Sequence, residues 1–434
     1  MNNKIKFFAA ILILIFSATA LAACTQGKSN TLGEPAAMSY PEYSEFSGEG
    51  YKALNRSAKT FSFDLATGVF ESEDRNDNFA ISPISVYAAL ALAAECAGGE
   101  TRKQIVSALN TTYDALYQNY GLLIRSLQRE FDTGKLTLYN SVWLDARVPF
   151  RQSAVNTLSE KYYCYSYSAD FAGDNDNANK AIRYHVKKQT NGLIERDFDL
   201  GTETLFTLIS TLYLKDNWLR AGDDISLTAK NHTFKGANGE KSEKFLQSKY
   251  ISGKAHDGDG FTAFYTTTYE GYKIKFLLPD EGVNVKDVFT AENLNEINEV
   301  SDFNAIDESA RKQYFTRCLF PEFKAGYDNN LKKVLSQMGI TDLFTTDCDM
   351  SGLIDASFAS PVFCPEVRHV ATLSVDRKGI EGAAVTVIAG DGSAAPGEEE
   401  FEKVYLDFIV DRAFGFIVTD ARDVPLFTGI INGI

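Results

Sequence analysis

The chain has 434 residues, of which 44% are hydrophobic and 12% aromatic, so it holds enough apolar material for a large buried core. Its 58 acidic and 43 basic residues give a formal net charge of -15. This acidic balance argues against nucleic acid and heparin-like polyanions as partners, because like charges repel.

The N-terminus has the pattern of a targeting segment. Lys4 and Lys6 precede an apolar run over residues 7–20, which is too short to indicate a membrane-spanning helix. The run is followed by residues 21–24, Leu-Ala-Ala-Cys, which resemble the lipobox of bacterial lipoproteins. The resemblance implies that residues 1–23 are removed and that Cys24 is lipidated, which anchors the protein to the bacterial membrane or cell surface on the extracytoplasmic side. An ordinary secretory signal with a chance cysteine is the alternative.

Residues 24–50 contain Gly, Ser, Pro and acidic residues with few large aliphatic ones, so the sequence predicts a flexible tether there and one domain over residues 51–434. Five cysteines remain besides Cys24, and they are Cys96, Cys164, Cys318, Cys348 and Cys364. Because five is odd, at least one thiol must stay unpaired or join two chains. We expect mostly buried, unreactive thiols.

The predicted elements change along the chain from helices to strands. Apolar spacing predicts a helix around residues 54–69, and further helices are expected over residues 85–97, after Ser82-Pro83, and over residues 113–131. Extended patterns follow in a later set of segments, which are residues 135–143, 205–214, 272–278, 370–375, 404–410 and 414–419. The sequence therefore predicts an α+β chain.

No enzyme motif stands out in the sequence. The four histidines are not part of a HExxH pattern, and no GxSxG, Walker A or GxGxxG pattern is present. A Ser-His-Asp triad with dispersed members stays open. Residues 170–177 and 257–260 are rich in Asp, Asn and Gly, but neither matches a complete calcium loop, so we read them as polar turns. We expect no metal and no cofactor.

Several blocks in a fixed order resemble the serpin family of serine-protease inhibitors. The blocks are residues 78–85, 189–194, 210–218, 276–282, 320–323, 338–340, 349–352, 411–414 and 425–429. They span almost the whole chain after the tether. The resemblance implies the serpin fold, in which helices pack around three β-sheets and a reactive-centre loop is exposed, and it implies a monomer.

The resemblance also assigns positions in the family's main sheet. The shutter and breach positions, where that sheet opens, match Ser82, Ser85, Ser210, Trp218 and His369. The family usually has Asn at position 210 and Gly at position 216, where this chain has Ser and Asp. At position 377 the chain has Arg where the family often has Glu.

The segment after residue 378 resembles the family's reactive-loop hinge. The hinge residues are Gly379, Ile380, Glu381, Gly382, Ala383, Ala384, Val385 and Thr386. In inhibitory serpins the cleaved loop enters the main sheet as a new strand, for which small and β-branched residues are suited. Residues 379–395 contain no Pro, Lys, Arg or aromatic residue. Fourteen such residues would span about 46 Å at roughly 3.3 Å each.

The family's hinge length puts the cleaved bond between Ser393 and Ala394, with Gly392, Ala394 or Ala395 as other residues before the bond. Small residues there fit the shallow pocket of elastase-like or subtilisin-like proteases. The expected function is suicide inhibition of such proteases. Ile380 stands where the family usually has Thr or Ser, and its bulk is expected to slow insertion. Gly382 stands where the family has Ala, which costs backbone entropy in a strand. The alternatives are a non-inhibitory serpin that acts as a surface binding protein or protease substrate, and an undetected hydrolase.

Overall fold

The computed structural model describes residues 27–72, 77–195, 197–218, 225–300, 303, 305–364, 367–381 and 401–434. In these residues the helices lie mainly in the first half of the chain. They are α1 Glu49–Ser72, α2 Pro83–Cys96, α3 Gly99–Ala108, α4 Tyr113–Ser126, α5 Gln152–Lys161, α6 Asn175–Gln189, α7 Val285–Val288, α8 Ala291–Glu299 and α9 Lys332–Gln337. Short 3₁₀ helices cover Tyr43–Ser47 and Asp342–Phe344.

The strands run through the whole described chain. They are β1 Asn30–Gly33, β2 Phe79–Ile81, β3 Gln128–Glu130, β4 Lys135–Asp145, β5 Tyr165–Ala169, β6 Phe206–Asn217, β7 Ser226–Leu227, β8 His232–Gly236, β9 Gly239–Glu243, β10 Leu246–Gln247, β11 Ile251–Ser252, β12 His256–Gly258, β13 Phe261–Thr267, β14 Lys273–Pro279, β15 Ile306–Asp307, β16 Lys312–Phe320, β17 Phe323–Asn330, β18 Arg368–Val375, β19 Gly379–Glu381, β20 Glu402–Ile409, β21 Phe414–Thr419 and β22 Pro425–Ile431.

These strands form three large sheets and one hairpin. The main sheet has eight strands in the order β1-β5-β4-β6-β19-β18-β17, with β3 added to β4. A second sheet has the order β12-β13-β14-β21-β22-β2, and a third is built around β16. Strands β8 and β9 pair with each other. The predicted α+β class with helices around three sheets is confirmed.

Helix α2 is the central buried helix of the domain, and its sequence explains both its start and its burial. Ser82 precedes Pro83, whose fixed φ suits the first helical turn and which needs no amide donor there. Almost every residue from Pro83 to Cys96 is buried, because the helix is apolar on all sides rather than on one stripe. It lies between α1, α3 and strand β6, and so supports the main sheet from within.

Strand β18 shows the opposite pattern. Buried and half-exposed residues alternate from His369 to Val375, as a strand with only one fully covered face requires. Helix α6 covers part of the other face of the main sheet, where Trp143, Phe171 and Ile182 belong to a separate small core.

The predicted helix over residues 113–131 is shorter than expected. It ends at Ser126, and Gln128–Glu130 pairs with β4 as strand β3. The side-chain amide of Gln128 donates to the backbone oxygen of Leu138 in the same ladder. Pairing with an existing strand outweighs local helix preference here.

The N-terminal part differs from the flexible tether indicated by its composition. Residues 27–48, which we call the N-terminal strap, lie against the domain. Strand β1 pairs antiparallel with the edge strand β5. The Tyr40 ring lies under the guanidinium groups of Arg129 and Arg422, at 4.0 and 5.6 Å from its centroid. Composition alone does not predict that the strap docks on the domain, because its partners are a strand edge and cationic side chains from distant parts of the chain.

Candidate functional site

A tight turn over residues 376–379 places the start of the predicted hinge. The Asp376 amide donates to the Gly379 oxygen at 3.0 Å, and the Asp376 carboxylate accepts from the Lys378 amide at 2.7 Å. Asp at the first and Gly at the fourth position are favoured in such turns. The turn reverses the chain, so β19 runs back beside β18.

Trp218 holds this turn from the neighbouring strand end. Its indole Nε1 donates to the Asp376 oxygen at 2.6 Å, and its backbone amide donates to the Lys378 oxygen at 3.1 Å. The ring is buried and meets Phe320 edge-on at 5.8 Å. The predicted breach residue thus lies directly beneath the turn that leads into the hinge.

Strand β19 is inserted between β18 and β6. On one side Ile380 pairs with Val375, and on the other it pairs with Asp216. Gly379 lies so close to β6 that a Cβ there would overlap the backbone oxygen of Asp216. Gly379 is therefore the residue that lets the two backbones approach.

Ile380 is accommodated in this position. Its side chain is only 2% exposed and belongs to the main hydrophobic core. Burying an isoleucine stabilises by about 1.5–3 kcal/mol relative to leaving it exposed. The bulk of Ile380 therefore fits the sheet once the residue is in place, while its expected effect on the rate of insertion stays a prediction.

Below the hinge the main sheet is open. In the described part of the chain, β6 from Phe206 to Leu214 has no strand partner on the β18 side, and β18 pairs toward β6 only through β19. A cleft of about 100 Å³ lies there, lined by residues that include Ile194, Thr207, Ile209 and Val370. The gap leaves backbone groups of two strands without ladder partners, which favours the entry of another strand.

Asp216, on strand β6, is a buried acidic residue that pairs with the hinge strand. Its carboxylate accepts from the backbone amides of Asn217 and Glu270 at 2.8 and 3.1 Å, and the residue is 1% exposed. Burial raises the pKa of Asp216 to about 7, and the hydrogen bonds only partly offset this. Nearby, Lys215 and Glu381 form an exposed ion pair at 3.5 Å, which contributes little.

Replacing Asp216 with Asn is expected to change how stability depends on pH. The folded carboxyl group binds a proton more tightly than the unfolded one, whose pKa lies near 3.8, so the folded state loses stability as the pH rises from about 4 to 7. At about 1.4 kcal/mol per pKa unit, the loss is roughly 4 kcal/mol at most. Asp216→Asn should remove it. Thermal melting between pH 4 and pH 8 should show that the melting temperature of the variant, relative to that of the wild type, increases as the pH rises.

The exposed Asp257 provides the matched control, because Asp257→Asn should follow the wild-type curve at every pH. Two parallel curves for Asp216→Asn and the wild type would contradict the assigned role of Asp216.

At the predicted shutter, three of the named residues meet. His369 Nε2 accepts from the Ser82 backbone amide at 3.0 Å, and Ser85 Oγ donates to the Ser82 oxygen at 2.8 Å. Burial lowers the pKa of His369 to about 4, so the ring is neutral near pH 7 and Nε2 is available as an acceptor. This contact joins α2 to β18 across 287 residues of sequence.

Ser210 does not join this group. It pairs with Asn140 on β4 and is one of the residues that line the cleft below the hinge. In the described chain its Oγ has no hydrogen-bond partner, and neither does Ser82 Oγ. Asn140 instead donates from its amide to the Tyr120 hydroxyl at 3.1 Å.

Other predicted residues lie outside the described chain. They are the hinge residues Gly382, Ala383, Ala384, Val385 and Thr386, the bond residues Ser393 and Ala394, and the lipidation residue Cys24.

Two contacts at the hinge were not anticipated. Arg377, whose family counterpart is often Glu, lies 3.7 Å from Glu322, and its amide donates to the same carboxylate at 3.1 Å. Asp376 organises the turn, and its spacing from Gly379 is the sequence signal that would have found it. No local sequence pattern indicates that Glu322 would contact Arg377.

Among the described residues no group of three or more His, Cys, Asp or Glu is placed to hold a metal ion. No helix of the described part is long and apolar enough to cross a membrane. Burial raises the pKa of the Cys96, Cys164 and Cys318 thiols, and that of Cys348 to about 12, which makes them poor nucleophiles.

Comparison with known proteins gives one family. The family model described as "Serpin (serine protease inhibitor)" matches residues 56–433. The chain is 26% identical over 394 residues to the alpha-1-antiproteinase of Callosciurus caniceps, covering 86% of this chain and 87% of the relative. It is 26% identical over 392 residues to Serpin-Z2A of Triticum aestivum, covering 86% and 94%.

Solved structures agree on the fold. The native state of Tengpin, a thermophilic serpin, matches with a TM-score of 0.69 and 22% identity, covering 94% of this chain and all of that one. Serpin48 of the insect Tenebrio molitor matches with a TM-score of 0.71 and 19% identity, covering 88% and 98%. With a family match over residues 56–433 and a main sheet that is partly open in the described residues, this chain belongs to the serpin family of serine-protease inhibitors.

Proposed function

We propose that this chain is a suicide inhibitor of serine proteases with a shallow specificity pocket, elastase-like or subtilisin-like. The observation that carries the proposal is the position of Gly379–Glu381, which form a short strand at the top of a gap that the described residues leave open in the main sheet.

The pairing register sets how far such a strand would extend. Ile380 faces Asp216 in an antiparallel ladder, and β6 begins ten residues earlier, at Phe206 (216 - 206 = 10). Continued in register, residue 390 would face Phe206 (380 + 10 = 390), and Ser393 would lie three residues beyond the strand end. Ser393, with an attached protease, would then lie 13 residues beyond Ile380, or about 43 Å along the sheet at roughly 3.3 Å per residue.

The chemistry is an interrupted acyl transfer. The protease serine oxygen forms an ester with the Ser393 carbonyl, the bond to the Ala394 nitrogen breaks, and that nitrogen leaves with a proton. The freed strand then fills the gap below β19 and satisfies the backbone groups there, each net hydrogen bond contributing about 1 kcal/mol. Insertion before water attacks the ester leaves the enzyme attached and displaced from its active geometry.

Incubation of the chain lacking its leader with neutrophil-type elastase or subtilisin tests this directly. We expect a band at the summed mass that survives boiling on a denaturing gel, because the ester is covalent. Sequencing of the released C-terminal peptide should give Ala394 as its first residue. Complete cleavage near Ser393 with no such band would contradict inhibition and indicate a substrate or a non-inhibitory binding protein.

We also propose that Cys24 carries a lipid and holds the protein outside the cytoplasm on a bacterial membrane or cell surface. The support is the Leu-Ala-Ala-Cys pattern at residues 21–24 after a short apolar run. The full chain should fractionate with membranes, and a Cys24→Ser chain should not.

A further inference from the structure

The first described residues are held at one place on the domain. The Lys28 ammonium lies 2.9 Å from Asp174, which precedes helix α6, and the Lys28 amide donates to the Asn177 oxygen at 3.2 Å. Gly27 has a φ of +73°, and a Cβ on it would overlap the backbone of Asn177 and Ala181 in that helix. Close backbone packing therefore fixes Gly27 at the start of α6.

The rest of the strap continues this attachment toward α1. Asn30 pairs with Ser168, and Gly33 packs against Val155 of α5, where a Cβ would approach its methyl group to 2.8 Å. Farther on, Glu45 forms an ion pair with Arg125 at 2.6 Å. The strap is thus fixed at both ends and along its length.

Strand registers show which end of the main sheet the strap reaches. Asn30 faces Ser168, the neighbour of Ala169, and Ala169 faces Asp145 at the end of β4. The other end of β4 is Lys135, which faces Lys215 beside the hinge. We call these the anchor end and the hinge end. They are ten residues apart along β4, or about 33 Å.

Gly27 is the third residue after Cys24, so the Cα atoms of the two cannot be more than about 11 Å apart at roughly 3.6 Å per residue. We propose that the N-terminal strap orients the lipid-anchored protein, with the anchor end of the main sheet against the membrane and the hinge end directed away from it. This inference rests on the lipidation proposed for Cys24. It directs the hinge residues Gly379–Glu381 toward the side from which a protease arriving from outside would come.

The orientation can be measured by energy transfer from the protein to an acceptor dye on the headgroups of phosphatidylcholine vesicles. The lipidated full chain carries a donor on a single introduced cysteine. Asp176→Cys reports the anchor end and Glu130→Cys the hinge end, and the two side chains are similarly exposed, at 81% and 78%. The chain without an introduced cysteine gives the background from the half-buried Cys348.

We expect strong transfer from position 176 and several-fold weaker transfer from position 130. A Gly27→Val, Gly33→Val double variant, which cannot pack on α6 and α5, should lose most of this difference. Gly48→Val is the matched control, because the nearest atom to a Cβ there is the Glu45 oxygen at an ordinary 3.7 Å, and it should keep the difference.

Equal transfer from both positions in the wild type, or stronger transfer from position 130, would overturn the proposed orientation. A full chain that stays off the vesicles, as Cys24→Ser should, would overturn it together with the lipid assignment. Failure of protease inhibition is a separate result, visible only as the missing covalent band on the gel.

Discussion

Gly379→Ala is expected to turn the inhibitor into a substrate. The added Cβ would overlap the Asp216 backbone oxygen, so β19 could pair with β6 only after one strand shifts. Overpacking of this kind costs about 2 kcal/mol, which corresponds to roughly a 30-fold shift toward release of the cleaved inhibitor. The measurement is the number of inhibitor molecules consumed per protease molecule inactivated, read from the ratio of cleaved to covalently bound chain.

The control for this experiment is Gly433→Ala, where no atom lies within 4 Å of the added Cβ. It should leave the ratio unchanged. A Gly379→Ala chain that still traps protease as efficiently as the wild type would show that insertion does not pass through the paired position of β19.

His369→Ala is expected to cause the largest loss of stability. It leaves the buried Ser82 amide without its acceptor and opens a cavity between α2 and β18. Together these effects should lower the free energy of unfolding by about 4 kcal/mol at pH 7. Urea unfolding followed by fluorescence gives the value. His232→Ala is the comparison, since His232 is half-buried and stacks on Phe245 at 5.1 Å, and it should cost about 1 kcal/mol or less.

The penalty of His369→Ala should also shrink in acid. The folded state holds His369 neutral down to about pH 4, whereas the unfolded chain takes up a proton near pH 6.5. The wild type therefore loses stability as the pH falls from 6.5 to 4, and the variant lacks this loss. A penalty that stays constant between pH 7 and pH 5 would contradict a neutral buried His369.

The proposed insertion of the reactive loop and the proposed orientation on the membrane both involve the anchor end of the main sheet. A protease carried along the gap would arrive at the end where the strap begins and, by our inference, where the membrane lies.

Sequence reasoning predicted the larger elements well and their ends less well. The strand predicted over residues 370–375 is Arg368–Val375, and the one predicted over residues 414–419 is Phe414–Thr419. Alternating or continuous apolar residues carry that information locally. The helix predicted to residue 131 ends at Ser126, because β4 offers a pairing edge that no local pattern reveals.

By itself the sequence determined the family and the α+β class, because ordered motifs and apolar patterns act over short stretches of chain. Only the tertiary structure decided the docking of the strap, the burial of Ile380, the raised pKa of Asp216 and the contact between Ser82 and His369. The physical reason is that edge pairing and desolvation depend on which distant residues surround a group, and only the folded chain brings these residues together.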